Sequence, residues 1–247
     1  MDKNVIKNLL DWTKKYVTES AKADGIVIGM SGGKDSTIVA KVCAEALGKE
    51  NVFGVIMPNG KMSDIDDAKR ACEVIGIRYC TVNIEDTYKS IINNVENNLP
   101  NKKLTDVSTI NTPPRIRMTT LYAFAGSMNY IVANTSNLSE CMVGYTTKWG
   151  DNVGDFAPLL GFTKTEVCEL GLMLGLPDDL VNKIPSDGLS GKSDEEKLGY
   201  SYKELDELIR EGKKGANYNK ILRAHKITKH KRDPIAKFES NLKNYLD

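Results

Sequence analysis

The string Gly29-Met30-Ser31-Gly32-Gly33-Lys34-Asp35-Ser36 constrains this chain more than any other stretch. It closes the short apolar run Gly25 to Met30, which reads as a buried strand. Residues 36 to 47 follow, with Ile38, Val39, Val42 and Ala46 at helix-compatible spacing. Small residues at such a junction let the backbone turn tightly and aim several N–H groups, with the positive end of the helix, at one point. A phosphate suits that point; Ser31 and Ser36 add hydroxyls and Lys34 a charge. The spacing is neither that of a Walker loop nor that of a dinucleotide fingerprint. Asp35 is the informative residue, because a carboxylate inside an anion-binding loop repels phosphate unless a cation such as Mg²⁺ lies between them. The loop therefore predicts a metal-nucleotide. A bare glycine turn with Asp35 as a helix cap is the bland alternative, and the complete string at a strand-to-helix junction outweighs it.

The same alternation continues along the chain. Val5, Ile6, Leu9, Leu10, Trp12 and Tyr16 predict an amphipathic helix over 3 to 20. Residues 51 to 57 read as a second strand, 63 to 75 as a helix capped by Ser63, 78 to 84 as a third strand and 85 to 98 as a helix. Thr112-Pro113 is expected to start a further helix, with threonine at the cap and proline at its first position, and 130 to 133 is a fourth strand. This order implies an α/β fold, a doubly wound and mostly parallel sheet with helices on both faces, whose ligands bind at the carboxyl ends of the strands. The small, polar stretch 185 to 200 is expected to be a mobile lid, and helices over about 201 to 211 and 217 to 228 precede a basic tail.

Composition narrows the function classes. With 34 Lys+Arg against 33 Asp+Glu there is no charge bias toward a polyanion, so no nucleic-acid partner is expected. No signal-peptide pattern or long apolar run is present, which predicts a cytoplasmic protein with no membrane partner. The five cysteines, Cys43, Cys72, Cys80, Cys141 and Cys168, contain no C-x-x-C pair and read as small apolar residues rather than as disulfides or a zinc site. Asn134-Thr135-Ser136 and Asn137-Leu138-Ser139 match the glycosylation pattern by chance.

S-G-G-x-D-S after the first strand resembles the phosphate loop of the N-type ATP pyrophosphatases. Downstream stand Arg115-Ile116-Arg117-Met118, Thr135-Ser136-Asn137-Leu138-Ser139-Glu140, Lys148-Trp149-Gly150-Asp151 with Asp155, Pro158-Leu159, Thr163-Lys164, Pro185-Ser186-Asp187, Asp194 to Tyr200 and His230-Lys231-Arg232. In this order they resemble the ammonia-dependent NAD synthetases over nearly the whole chain. The resemblance implies an adenine nucleotide alpha-hydrolase-like fold. It also implies ATP-dependent amidation of deamido-NAD by ammonia through an acyl-adenylate, giving NAD, AMP and pyrophosphate.

Carried over position by position, the resemblance implies that Gly29, Met30, Ser31, Gly32, Gly33, Lys34, Asp35, Ser36, Thr135, Lys164 and Ser186 contact ATP. Asp35 and Glu140 hold Mg²⁺, and with Lys164 they form the catalytic group. Arg115, Lys148, Asp155, His230 and Lys231 contact deamido-NAD. Three positions depart from the common family pattern, Asn134 for glycine, Ser136 for aspartate and Ser186 for threonine. The motifs span 29 to 232, so a single domain over 1–247 without a glutaminase domain is expected, with free ammonia as donor and a homodimer as the assembly. The runner-up is another ATP pyrophosphatase that modifies tRNA, which should bring a basic patch or paired cysteines. A non-catalytic nucleotide sensor is the third reading, and two metal-facing acids argue against it.

Overall fold

The computed structural model describes residues 1–61, 64–182 and 193–238. In chain order it runs α1 (Lys3–Lys15), β1 (Gly25–Gly29), α2 (Lys34–Leu47), β2 (Val52–Ile56), α3 (Ile65–Ile75), β3 (Arg78–Thr81), α4 (Glu85–Asn98), α5 (Asp106–Met128) and β4 (Tyr130–Val132). Then come α6 (Leu138–Val143), α7 (Lys164–Met173), α8 (Asp178–Val181), α9 (Asp194–Leu198), α10 (Tyr202–Glu211) and α11 (Tyr218–Ile227). All described strand pairings are parallel, in the order β3-β2-β1-β4.

The pleat sorts the strand residues between two cores. Ile26, Ile28, Val52 and Ile56 face one side, against Leu9 of α1, Ile38 and Val42 of α2, Cys72 of α3 and Leu170 of α7. Val27, Val55 and Val132 face the other, against Ile116 and Ala125 of α5 and Tyr88 of α4. Helices thus cover both faces, as the alternating pattern predicts. A third, smaller cluster of Val143, Tyr200, Tyr202, Leu205 and Ile221 joins α6 to α10 and α11. Strand order reverses between β1 and β4: the chain moves outward through β2 and β3, then returns to the opposite edge of β1. The loops after β1 and β4 diverge there and leave a crevice at the carboxyl ends of the strands.

Several local expectations shift. The first helix is α-helical only to Lys15 and continues as a π turn over Tyr16–Ser20. The long helix α5 starts at Asp106, not at Thr112-Pro113. Thr105 is its cap, accepting from the Ser108 amide, and the Thr112 hydroxyl donates to Ser108 O at 2.8 Å inside the helix it was expected to begin. Pro113 and Pro114 sit mid-helix, where each removes one backbone donor. The expected lid over 185 to 200 holds α9 in its described part, started by a capping box between Ser193 and Glu196. The rest of that lid, and Ser63, lie outside the described residues. Cys43 and Cys72 are buried as expected, while Cys80, Cys141 and Cys168 are partly exposed; all five are free thiols.

Candidate active site

The crevice is a cleft of about 1040 Å³. Of the predicted site residues, Gly29, Met30, Ser31, Gly33, Lys34, Asp35, Thr135, Glu140, Lys164 and Lys231 line it. Gly32 and Ser36 support the loop from behind. Gly32 has φ +77°, and a Cβ there would lie 2.7 Å from Asp64 O and 3.0 Å from Ala68 N at the start of α3. No side chain fits, for reasons of both conformation and space. Gly32→Ala is expected to displace the loop, raising KM for ATP at least tenfold and lowering stability by about 1–3 kcal/mol. Steady-state kinetics and thermal melts check both.

Gly33 caps α2 in an extended conformation. Its carbonyl accepts from the Ser36 hydroxyl at 3.0 Å and the Thr37 hydroxyl at 2.9 Å, while the Ser31 hydroxyl accepts from the Gly33 amide at 3.2 Å. The loop is therefore braced by its own side chains around the first turn of α2, where the helix dipole favours an anion. Lys34 is mostly buried, its ammonium 3.6 Å from Cys168 Sγ.

Asp35 on the first turn of α2, Glu140 on the first turn of α6 and Lys164 on the first turn of α7 meet at one point. Lys164 Nζ lies 2.6 Å from Asp35 Oδ2 and 2.8 Å from Glu140 Oε1, and 5.1 Å from the centre of the Tyr202 ring. Burial by itself disfavours the Lys164 ammonium, but the two carboxylates reverse that and hold its pKa above the ordinary value. Burial, and then the charge of Asp35, push the Glu140 carboxyl up, against the pull of Lys164. Two carboxylates face one ammonium here, and the raised Glu140 carboxyl reflects the charge that the second acid adds, which a further cation would relieve. Two hard oxygen donors sharing one cation fit Mg²⁺, which takes one or two carboxylates and completes its shell with water and phosphate oxygens. Among the described residues no cluster of three or more His, Cys, Asp and Glu gathers, and the acids that meet at this point are Asp35 and Glu140.

Lys164 is fixed from behind. Thr163 and Glu166 form a capping box at the start of α7, and Arg210 holds Glu166 by two hydrogen bonds of 2.8 and 2.6 Å. The Ser139 hydroxyl accepts from the Lys164 amide at 2.9 Å and donates to buried Asp206, which also accepts from the Thr165 amide and hydroxyl. Partial burial alone raises the Glu166 carboxyl, but its bonds to Arg210 and Thr163 prevail and hold it below its ordinary value of 4.5. A depressed folded pKa contributes stability that is present above the ordinary value and is lost as pH falls through the folded one. Glu166→Gln keeps a capping oxygen and loses the charge. It is expected to cost less than about 1 kcal/mol near pH 7, because the pair is partly exposed and solvent-screened. The parent and variant melting curves are expected to draw together as the pH falls below 4.5 and through the depressed folded value, which a pH series of melts checks.

Arg115, Lys148, Asp155 and His230 do not line the cleft. Arg115 donates to Lys148 O at 3.2 and 3.3 Å, and Lys148 Nζ donates to His230 O at 2.7 Å. Asp155 turns inward, accepting from the Val132 amide at 2.7 Å and the Tyr122 hydroxyl at 3.3 Å, and lines a hollow of about 380 Å³ that shares Lys231 with the cleft. Lys231 Nζ donates to Gly144 O and Thr146 O, and Arg232 to Cys141 O and Met142 O, so both satisfy carbonyls at the end of α6. Ser186 lies outside the described residues.

Asn134 donates to Asp151 O and Val153 O and accepts from the Ser136 amide. The amide in place of glycine thus ties the β4 loop to the 151–153 turn. Arg117 and Asn137 stand in the motifs that carry the resemblance without an assigned role, and Asp206 in none; Arg117 lines the cleft with Nε donating to Met57 O at 2.9 Å. For Asn137 a signal was present: Asn followed three residues later by Glu is a helix-start pattern. It was set aside as a chance glycosylation match.

Comparison with known proteins places the chain in a family. The NAD synthase family model matches residues 5–243. The NH₃-dependent NAD⁺ synthetase of Thermococcus sibiricus is 46% identical over 83% of this chain and 79% of its own length. That of Finegoldia magna is 38% identical over 97% of both chains. The solved structure of NMN synthetase from Francisella tularensis superposes with a TM-score of 0.86 at 31% identity, covering 97% of this chain and 98% of that one.

Proposed function

This chain belongs to the NAD synthase family, and from that premise we propose how its cleft carries out the ATP-dependent, ammonia-dependent synthesis of NAD. The protein is an NAD synthetase: it joins ammonia to the nicotinate carboxyl of deamido-NAD, with ATP as co-substrate. The observation that carries the site assignment is the convergence of Asp35, Glu140 and Lys164 beside the phosphate loop. ATP lies along Gly29 to Ser36, with Thr135 and Lys164 reaching it from the loop after β4 and from α7; Ser186, the other contact that the resemblance implies, lies outside the described residues. Deamido-NAD lies beside ATP toward Lys231, with Arg115, Lys148, Asp155 and His230 as the further contacts that the family resemblance implies.

The nicotinate carboxylate attacks the α-phosphorus, pyrophosphate leaves, and ammonia then displaces AMP from the acyl-adenylate. In the first step the amides at the start of α2 and the Lys164 ammonium receive charge that builds on the phosphate oxygens. The enzyme's contribution is alignment of the two anionic substrates and neutralisation of their charge. Mg²⁺, held by Asp35 and Glu140, supplies further charge neutralisation on the phosphates when bound.

A single domain, a cytoplasmic location and a homodimer belong to the same reading. No described helix is long and apolar enough to cross a membrane. Exposed apolar pairs one turn apart, Ile91 and Val95 on α4 and Val107 and Ile110 on α5, support self-association. Analytical ultracentrifugation tests it. A tRNA-modifying activity is not favoured.

The likeness to an NMN synthetase supports one second reading, in which the smaller nicotinate mononucleotide is also amidated. Product analysis with ATP, Mg²⁺ and ammonium, supplied with either deamido-NAD or the mononucleotide and omitting each component in turn, tests both. NAD, AMP and pyrophosphate in equal amounts are expected. The ratio of kcat/KM values ranks the two acceptors, and inactivity with both overturns the reading.

A further inference from the structure

We propose that Asn137 is a positioning residue for the carboxylates of the cation site, a role that rests on the assignment of Asp35 and Glu140 as its ligands. Asn137 is fully buried, and its amide is used at both ends. Nδ2 donates to Asp35 Oδ1 at 3.0 Å, and Oδ1 accepts from the Glu140 backbone amide at 3.0 Å. One side chain therefore links the acid at the start of α2 to the backbone of the acid at the start of α6. These two elements do not follow one another in the chain, and nothing local holds their first turns in register.

With Lys164 on Oδ2 and Asn137 on Oδ1, both oxygens of Asp35 are engaged and the plane of its carboxylate is set. Each oxygen still has lone-pair capacity for a cation. The chemistry of the donor matters. An ammonium at position 137 would compete with the cation, and a carboxylate would repel Asp35. A neutral amide orients the acid without reducing its charge, which is how groups behind a metal ligand tune affinity.

Capping alone does not require asparagine, because serine starts helices as well and glycine costs little more. Asn137→Ser and Asn137→Gly therefore separate capping from positioning. The probe is Mn²⁺ titrated into the full-length protein with a non-hydrolysable ATP analogue, followed by electron paramagnetic resonance, alongside melting curves and steady-state kinetics.

Both variants are expected to fold and to melt below the parent by the same modest amount, since each loses the buried bond to Asp35. They are expected to bind Mn²⁺ about 10- to 100-fold more weakly and to lose kcat by a similar factor, with KM for deamido-NAD unchanged. Two folded variants with parental Mn²⁺ affinity and kcat would leave Asn137 a helix cap and overturn the proposal. Asp35→Asn run in parallel separates the two levels. If that variant also binds Mn²⁺ normally, the cation-site assignment itself is wrong; if it loses Mn²⁺ while the Asn137 variants do not, only the positioning role fails.

Discussion

Asp35→Asn is expected to lower kcat/KM for NAD formation by about a thousandfold while leaving the fold at least as stable as the parent. The two halves of this expectation have one cause. Asp35 and Glu140 face a single ammonium, so ionising both acids is unfavourable, as the raised Glu140 carboxyl reflects, and a further cation or a proton on Glu140 relieves it. Removing one carboxylate leaves a balanced Lys164–Glu140 pair, which burial tolerates better than the original trio. The same change removes half of the protein's oxygen donors for a divalent cation. The variant should melt at or above the parent temperature without Mg²⁺ and lose most of the parent's stabilisation by Mg²⁺ with an ATP analogue. Near-parental turnover in a folded variant would remove Asp35 from the site.

Lys164→Met should do the opposite to stability. The thioether fills much of the same space against Tyr202 but brings no charge, leaving two buried carboxylates facing each other without a cation. Removing one partner from a buried ionic group costs about 3–5 kcal/mol. In the presence of a chelator the variant is expected to lose a loss of that order in chemical denaturation. Added Mg²⁺ should recover part of it, because the divalent ion meets the unpaired acids. Turnover should fall by about two to three orders of magnitude, since the charge that meets the phosphate is gone. A variant as stable as the parent in chelator would mean that Lys164 is not the counter-ion its geometry implies.

Local chemistry made much of this protein readable from its residues. The loop 31 to 36 has one workable conformation after a buried strand, because Gly32 must take positive φ against the α3 backbone and Gly33 must cap α2. Apolar runs and helical spacing carried the strand and helix order, and with it the two-sided sheet. Boundaries fared less well where several residues compete for one role. Thr105 and Thr112 both suit a helix cap, and Pro113 marks either a first turn or an interruption. The choice fell to which threonine finds a free amide ahead of it.

By itself the sequence determined the phosphate loop, the acid within it and the alternating order of elements, because each follows from neighbours within a few residues. Tertiary structure supplied the distances at which Asp35, Glu140 and Lys164 meet, a grouping the resemblance only implied. It alone decided that Asn137 ties the first two together, that Lys231 spends its ammonium on backbone carbonyls and that Asp155 accepts from the Val132 amide and Tyr122. Those relations depend on β4 returning beside β1 and on three helices starting at the same edge of the sheet. Such contacts join residues far apart in the chain, and no spacing within it encodes their distance.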